Sequence, residues 1–233
     1  MPARAPRRAT VVLAAAAVVS ALLATGVTAC MLSPLASQAT PVQGEGAVTS
    51  VDRTTAGFSH VSVGAGMNVT VRIGSELSVT LAAQPNLLGL ITTDVRDGQL
   101  VVEVASPGIL TSRPVALTIH VPELASITLS AGASGTLEVA GGSLAVDVSA
   151  DATIKAIGEL DSLRLTASSG ATAQLGEIRA GSATVTLTGG SSAELHVTGA
   201  VTGTADGGST LRLTETPASV DVKTSGGASV QGG

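Results

Sequence analysis

Asp147, Asp151 and Asp161 are the residues most suited by type and spacing to do chemistry. Carboxylates close together in β-rich sequence could cleave a sugar chain, which needs one acid and one base or nucleophile about 5–10 Å apart. The pattern around them does not supply that pair. In the repeat described below, Asp147 is succeeded by Thr166, and Asp151 by Gly170. Asp206 stands alone in a column otherwise made of Ser130, Ser149, Ser168, Thr188 and Ser225. Phe58 is the only aromatic residue, so the rings on which sugars usually stack are missing from the repeats. His60, His120 and His196 are scattered, and a single cysteine, Cys30, cannot build a zinc site. Serines and threonines abound, but a nucleophile needs an adjacent base and an orienting acid, and no GxSxG elbow occurs. The sequence therefore offers no catalytic residue, no metal site and no cofactor site.

What it does offer is a repeat. Gly132, Asp151, Gly170, Gly190, Gly208 and Gly227 follow one another at steps of 19, 19, 20, 18 and 19 residues, within similar small-residue text. Five residues before each lies Ile127, Val146, Leu165, Val185, Gly203 or Val222; seven before lies Ala125, Leu144, Leu163, Ala183, Val201 or Val220. The residues between these columns are mostly polar, which is the period-two signature of a strand with one face inward. Two residues after each corner the column is entirely hydroxylic: Ser134, Thr153, Thr172, Ser192, Thr210 and Ser229. Four after, it reads Thr136, Lys155, Gln174, Glu194, Arg212 and Gln231, so like charges never meet.

Identical chemistry once per period is what stacking produces, because a single coil cannot bury its apolar face alone. The expected fold is all-β, a parallel β-helix or solenoid with coils of about 19 residues, right-handed as parallel crossovers are. Gly at five corners and Asp151 at the sixth supply positive φ. A core without large rings must be built from thin layers of Val, Leu, Ile and Ala. Upstream, alternating runs such as Val69, Val71, Ile73 and Val115, Leu117, Ile119 read as strands. Residues 84–90 read as one short helical turn.

The first 29 residues read as a lipoprotein signal peptide. Arg4, Arg7 and Arg8 form a basic start, an apolar run follows, and Val27-Thr28-Ala29 leads into Cys30, the expected lipid-attachment site. Residues 30–50 read as a lipidated flexible tether, and residues 51–233 as the folded domain, with clear repeats over 125–233. The whole chain carries a net charge of −5; without the leader nine basic residues face seventeen acidic ones, a net charge of −8. An acidic body argues against nucleic acid as a partner and against electrostatic adhesion to anionic lipid. Membrane attachment would rest on the lipid at Cys30.

Gly64-Ala65-Gly66-Met67-Asn68-Val69, with FSHVSV before it and LLGLITTDVRDGQLVVEV after, resembles a bacterial family described as putative auto-transporter adhesin, head GIN domain. VALTIHVPELASITLSAGASGTLEV resembles that family's central segment, and the likeness spans roughly residues 55–230. The Gly-Ile-Asn signature stands here as Gly66-Met67-Asn68. The resemblance implies a β-helical extracytoplasmic domain, often lipid-anchored. The residues themselves read as a structural turn: two glycines permit a tight bend and Asn68 can bond nearby backbone.

The functional expectation is a non-enzymatic lipoprotein on the extracytoplasmic face of the cell membrane, a binding or structural module facing an envelope protein or polysaccharide. A self-assembling scaffold, a homo-oligomer built end to end through its rungs, is the first alternative. A β-helical carbohydrate-active enzyme using the aspartates above is the second.

Overall fold

The computed structural model describes residues 40–105 and 108–232. The leader, Cys30 and the first part of the tether lie outside the described residues. The rest is an all-β solenoid whose coils each contribute one strand to each of two parallel ladders.

The first ladder stacks Gln99–Val104, His60–Val63, Ser126–Leu129, Ser143–Val148, the second halves of Thr153–Ala167 and Thr172–Leu187, then Ala200–Ala205 and Ser219–Thr224. The second stacks Ala116–Val121, Asn68–Ile73, Ser134–Ala140, the first halves of the same two long strands, Ser192–Val197, Thr210–Leu213 and Ser229–Gly232. Every step is parallel, and the register is continuous apart from two irregularities. Ile127 pairs with Val146, Val146 with Leu165, Leu165 with Val185, Val185 with Gly203 and Gly203 with Val222. The hydroxylic column from Ser134 to Ser229 is likewise continuous. Unequal coil lengths are absorbed by irregularities at Lys155–Ile157 and Leu175–Arg179, on the side away from the glycine corners.

Alternation sets what is inside. Ser134–Ala140 reads exposed and buried in strict turn, and the core runs as one column of Val, Leu, Ile and Ala the length of the stack. The layer is thin enough that a Cβ on Gly135 would meet the Leu129 side chain at 2.5 Å. Buried Ser191 and Ser209 donate to the carbonyls of Ala167 and Leu187, so their hydroxyls are not stranded. The aligned hydroxyl column, by contrast, makes no hydroxyl–hydroxyl bonds along its length among the described residues. Those bonds occur at Ser143–Ser162, 2.7 Å, and Thr184–Thr202, 3.5 Å.

The coil order departs from chain order at one end. After Asn68–Ile73 the chain turns back through Ser78–Ala83, which runs antiparallel to Ala116–Val121. Thr49–Arg53 adds a second antiparallel strand outside it. On the other ladder Ile91–Arg96 runs antiparallel to Gln99–Val104. A 3-10 turn at Leu88–Leu90 joins the two sides, with Leu87 and Ile91 buried beneath. Arg53 spans the same gap, donating to the carbonyls of Leu88, 2.6 Å, and Ile91, 3.3 Å. This excursion closes the core at the N-terminal end. At the other end Ser219–Thr224 and Ser229–Gly232 have one edge each with no strand partner among the described residues.

The described chain joins the fold before Val51, inside the segment read as tether. Val42–Gln43 pairs with Ile109–Leu110, and Asn86 and Gln84 bind backbone at Gln43, Glu45 and Gly46. Two-residue pairing held by polar side chains leaves no hydrophobic period, so nothing in the pattern marks it.

Candidate functional site

Each coil turns its first corner through two consecutive residues with positive φ. The second residues of these pairs are Gly132, Asp151, Gly170, Gly190, Gly208 and Gly227, with φ of 61–80°. The first residues, including Ala131, Ala150 and Ser169, lie between 50° and 63°. Two left-handed residues in a row make a type I′ turn. It is closed each time by an N–H to C=O bond across the corner, from Ala133 to Ser130 at 3.1 Å through Ala228 to Ser225 at 3.0 Å. The corners also stack: the N–H of Gly132 donates to Ala150 O, that of Asp151 to Ser169 O, and so on to Gly208 and Gly226 O, at 2.9–3.0 Å.

Gly64-Ala65-Gly66-Met67 is the same device. Ala65 and Gly66 have φ of 57° and 66°, Met67 N–H donates to Gly64 O, and Gly66 N–H donates to Ala131 O at 2.9 Å. The family signature is thus one more corner of the solenoid, stacked directly beneath Gly132. Met67 occupies the buried position that Ala133 and Ala152 fill above it and is fully enclosed, which is why one long apolar side chain replaces another there. Asn68 is exposed and begins the strand that pairs with Ser134. The homology of this turn to the later corners was hidden in the sequence because the excursion over residues 74–125 separates it from the 19-residue period.

The three aspartates go to three different places. Asp147 sits on the outer face of the first ladder between Thr128 and Thr166. Asp151 occupies a corner. Asp161 lies at the opposite junction of its coil, accepting from Gly142 N–H at 3.2 Å. His60 and His120 each bond one serine, Ser126 at 2.7 Å and Ser78 at 3.1 Å, with no carboxylate completing either pair among the hydrogen bonds of the described residues. No cluster of three His, Cys, Asp or Glu able to hold a metal ion occurs among the described residues.

Two of the shallow grooves lie beside these features. One, of about 610 Å³, runs beside the signature turn, between Gly64-Ala65 and the hairpin carrying Asp94, Arg96 and Glu103. Its guanidinium is already engaged, 3.4 Å from Asp94 and 4.0 Å from Glu103, in exposed pairs that contribute little. The other, of about 410 Å³, crosses the coils on the first ladder's side and is lined by Ser143, Ser162, Ser182, Arg164 and Thr184. It opens onto a flat area where Thr184, Thr186, Thr202 and Thr204 project from two adjacent rungs, all exposed. Rungs about 4.8 Å apart and like-facing residues about 6.8 Å apart along a strand make this a regular grid of hydroxyls. Such a surface can exchange hydrogen bonds with an extended polar chain laid across the rungs. It has no enclosed volume in which water could be excluded from a reaction.

Solved structures share this architecture. A structure titled as a putative adhesin from Bacteroides fragilis superposes with a TM-score of 0.63 at 13% identity, covering 81% of this chain and 98% of its own. One with the same title from Parabacteroides merdae gives 0.53 at 16% identity, covering 82% and 98%. A structure titled as a putative lipid binding protein from Parabacteroides distasonis gives 0.51 at 11% identity, again covering 82% and 98%. No functionally curated protein matches the chain. At such identities the likeness establishes the fold, and membership rests on the sequence model that includes the signature corner and five of the six later ones. That model matches residues 57–217, so the chain belongs to the family described as putative auto-transporter adhesin, head GIN domain.

Proposed function

We propose that this protein is a non-catalytic, lipid-anchored module of the outer cell surface that binds an extended envelope polymer, a polysaccharide or a protein segment, along its lateral hydroxyl face. The grid of Thr184, Thr186, Thr202 and Thr204, continued into the groove at Ser143, Ser162 and Ser182, carries this reading. Hydroxyls both donate and accept, and short side chains lose little rotamer freedom on binding. The adhesin titles of the structural neighbours agree with it. Asp147, Asp151 and Asp161 stand on a strand face, at a corner and at the opposite junction of the coil, an arrangement that favours binding over cleavage. Cys30 would carry the anchor. No helix long and apolar enough to cross a membrane occurs among the described residues.

Retention of residues 40–233 on purified cell-wall material tests the face directly. Thr184→Val combined with Thr202→Val is expected to lower retention ~10-fold, since methyl groups replace hydrogen-bonding hydroxyls, with little change in the melting temperature because both positions are exposed and the β-branched shape is kept. Equal retention of variant and native protein, or none by either, would remove the reading. In cells, Cys30→Ser should move the full chain from the membrane fraction to the soluble one. Release of new sugar ends that stops in Asp147→Ala or Asp151→Ala would instead make the protein an enzyme.

A further inference from the structure

The two ends of the solenoid are unlike. The N-terminal end is stepped, with one added antiparallel strand on the first ladder and two on the second, strapped by Arg53. Its edge strands carry Asp52, Arg53, Asp94 and Arg96, the charged residues with which natural sheets keep edges unpaired. Among the described residues the last coil has no strand stacked beyond it. Val220 is 47% exposed there although its equivalents Val201 and Leu144 are buried, and Val222, Ala228 and Val230 are only partly covered. The corner N–H of Gly227 lacks the rung bond that Gly66, Gly132, Asp151, Gly170, Gly190 and Gly208 all make, among the described residues.

The charges on this last coil are arranged unusually. At the two outward positions of the first ladder, earlier coils carry Ser126 and Thr128, Ala145 and Asp147, Arg164 and Thr166, then threonine pairs. Ser219–Thr224 carries Asp221 and Lys223, opposite charges two residues apart on one face of an edge strand. Consider this strand laid antiparallel against the same strand of another molecule. Centred on Val222, the register sets Asp221 opposite Lys223 of the second copy and Lys223 opposite its Asp221. Centring on Asp221 or Lys223 instead brings like charges face to face. Directly opposed residues in an antiparallel pair are close neighbours, so the charges select one register and reject those beside it. The two-fold axis of that pairing is perpendicular to the sheet and passes through the second ladder as well. There Ser229 and Gln231 point outward and bring no charge.

We propose that the C-terminal coil is a docking surface for a second copy of this chain, giving a closed, two-fold dimer joined end to end through Ser219–Thr224 and Ser229–Gly232. The partner is specified by self-complementary charge and by apolar end residues that each copy covers for the other. Growth into an open filament is opposed by the stepped, charged N-terminal end.

Sedimentation equilibrium of residues 40–233, which lie within one compact unit, tests this over a range of concentration and salt. The native protein should be a dimer that weakens as salt screens the exposed pairs. Asp221→Lys and Lys223→Asp should each weaken dimerisation by ~10-fold or more, because each sets two like-charged pairs in the interface. The double variant Asp221→Lys/Lys223→Asp restores every pair with sign exchanged and should regain the dimer. Diluted until each is monomeric, all four proteins should melt alike, the substituted positions being exposed. A native monomer at the highest concentration, continued growth beyond a dimer, or a double variant that stays monomeric would each overturn the proposal.

Discussion

Val185→Asp is expected to unfold the stack, at a cost of about 3–5 kcal/mol, as for a buried charge deprived of a partner. Val185 is fully enclosed, with Leu165 on the rung below and Gly203 on the rung above, and it belongs to the hydrophobic core. A carboxylate there must ionise without a partner or take up a proton, and either state removes an apolar contact shared by two neighbouring coils. Because coils are stabilised by their neighbours, the damage should spread through the stack rather than stay local. Gln174→Glu is the matched control. Gln174 is exposed and stacks between Lys155 and Glu194, so the new charge meets one of each sign and should change stability by less than about 0.5 kcal/mol. Urea unfolding of both variants measures the difference; similar midpoints would mean that the inward and outward faces are misassigned.

Gly203→Ala is expected to be nearly as harmful, although it adds one methyl group. Gly203 interrupts the aliphatic column that runs from Ile127 to Val222, and with φ of 137° its missing Cβ would point into the carbonyl of Val185. The atoms in the way are backbone, held in a rung, so relief requires separating two coils or forcing the residue back to negative φ. A cost of about 3 kcal/mol or more combines backbone strain with overpacking. Gly190→Ala separates the two contributions. Gly190 also has positive φ, 73°, but a Cβ there meets nothing within 4 Å, so only the left-handed strain of about 1–2 kcal/mol should appear. If the two alanine variants lose stability equally in urea, the close approach at Gly203 is not the reason for its glycine.

The stack itself was legible because in-register parallel pairing copies each position's chemistry from coil to coil. That is why Ile127, Val146, Leu165, Val185 and Val222 could be aligned by counting and are found on successive rungs. Even the exception, Gly203, fell in its column, though its cause is a backbone contact no sequence displays. The N-terminal end was legible only as strands. Their antiparallel direction, and the insertion of His60–Val63 between Gln99–Val104 and Ser126–Leu129, depend on where the chain turns back, and a period-two pattern is the same in either direction. In isolation the signature turn reads only as a bend. Gly64-Ala65-Gly66 and Ser130-Ala131-Gly132 share their spacing of small residues, and that likeness was the available clue to their stacking. Of the lateral face, the hydroxylic column after the corners was conspicuous. The threonine grid on the other ladder emerges only once Thr184–Thr186 and Thr202–Thr204 are set side by side.

Register underlies the binding face, the corner column and the open end alike, and paired cysteines measure it most directly. Residues 40–233 contain no cysteine, so any disulfide is an introduced one. Ser143 and Ser162 lie on neighbouring rungs with their hydroxyls 2.7 Å apart, within the reach of a disulfide. Ser182 lies one rung further, about 9.6 Å from Ser143 at two rung spacings. Under mild oxidation Ser143→Cys/Ser162→Cys should close an intramolecular disulfide within the folded monomer, and Ser143→Cys/Ser182→Cys should remain reduced. Closure of the second pair in preference to the first would contradict the stacking order on which the whole account stands.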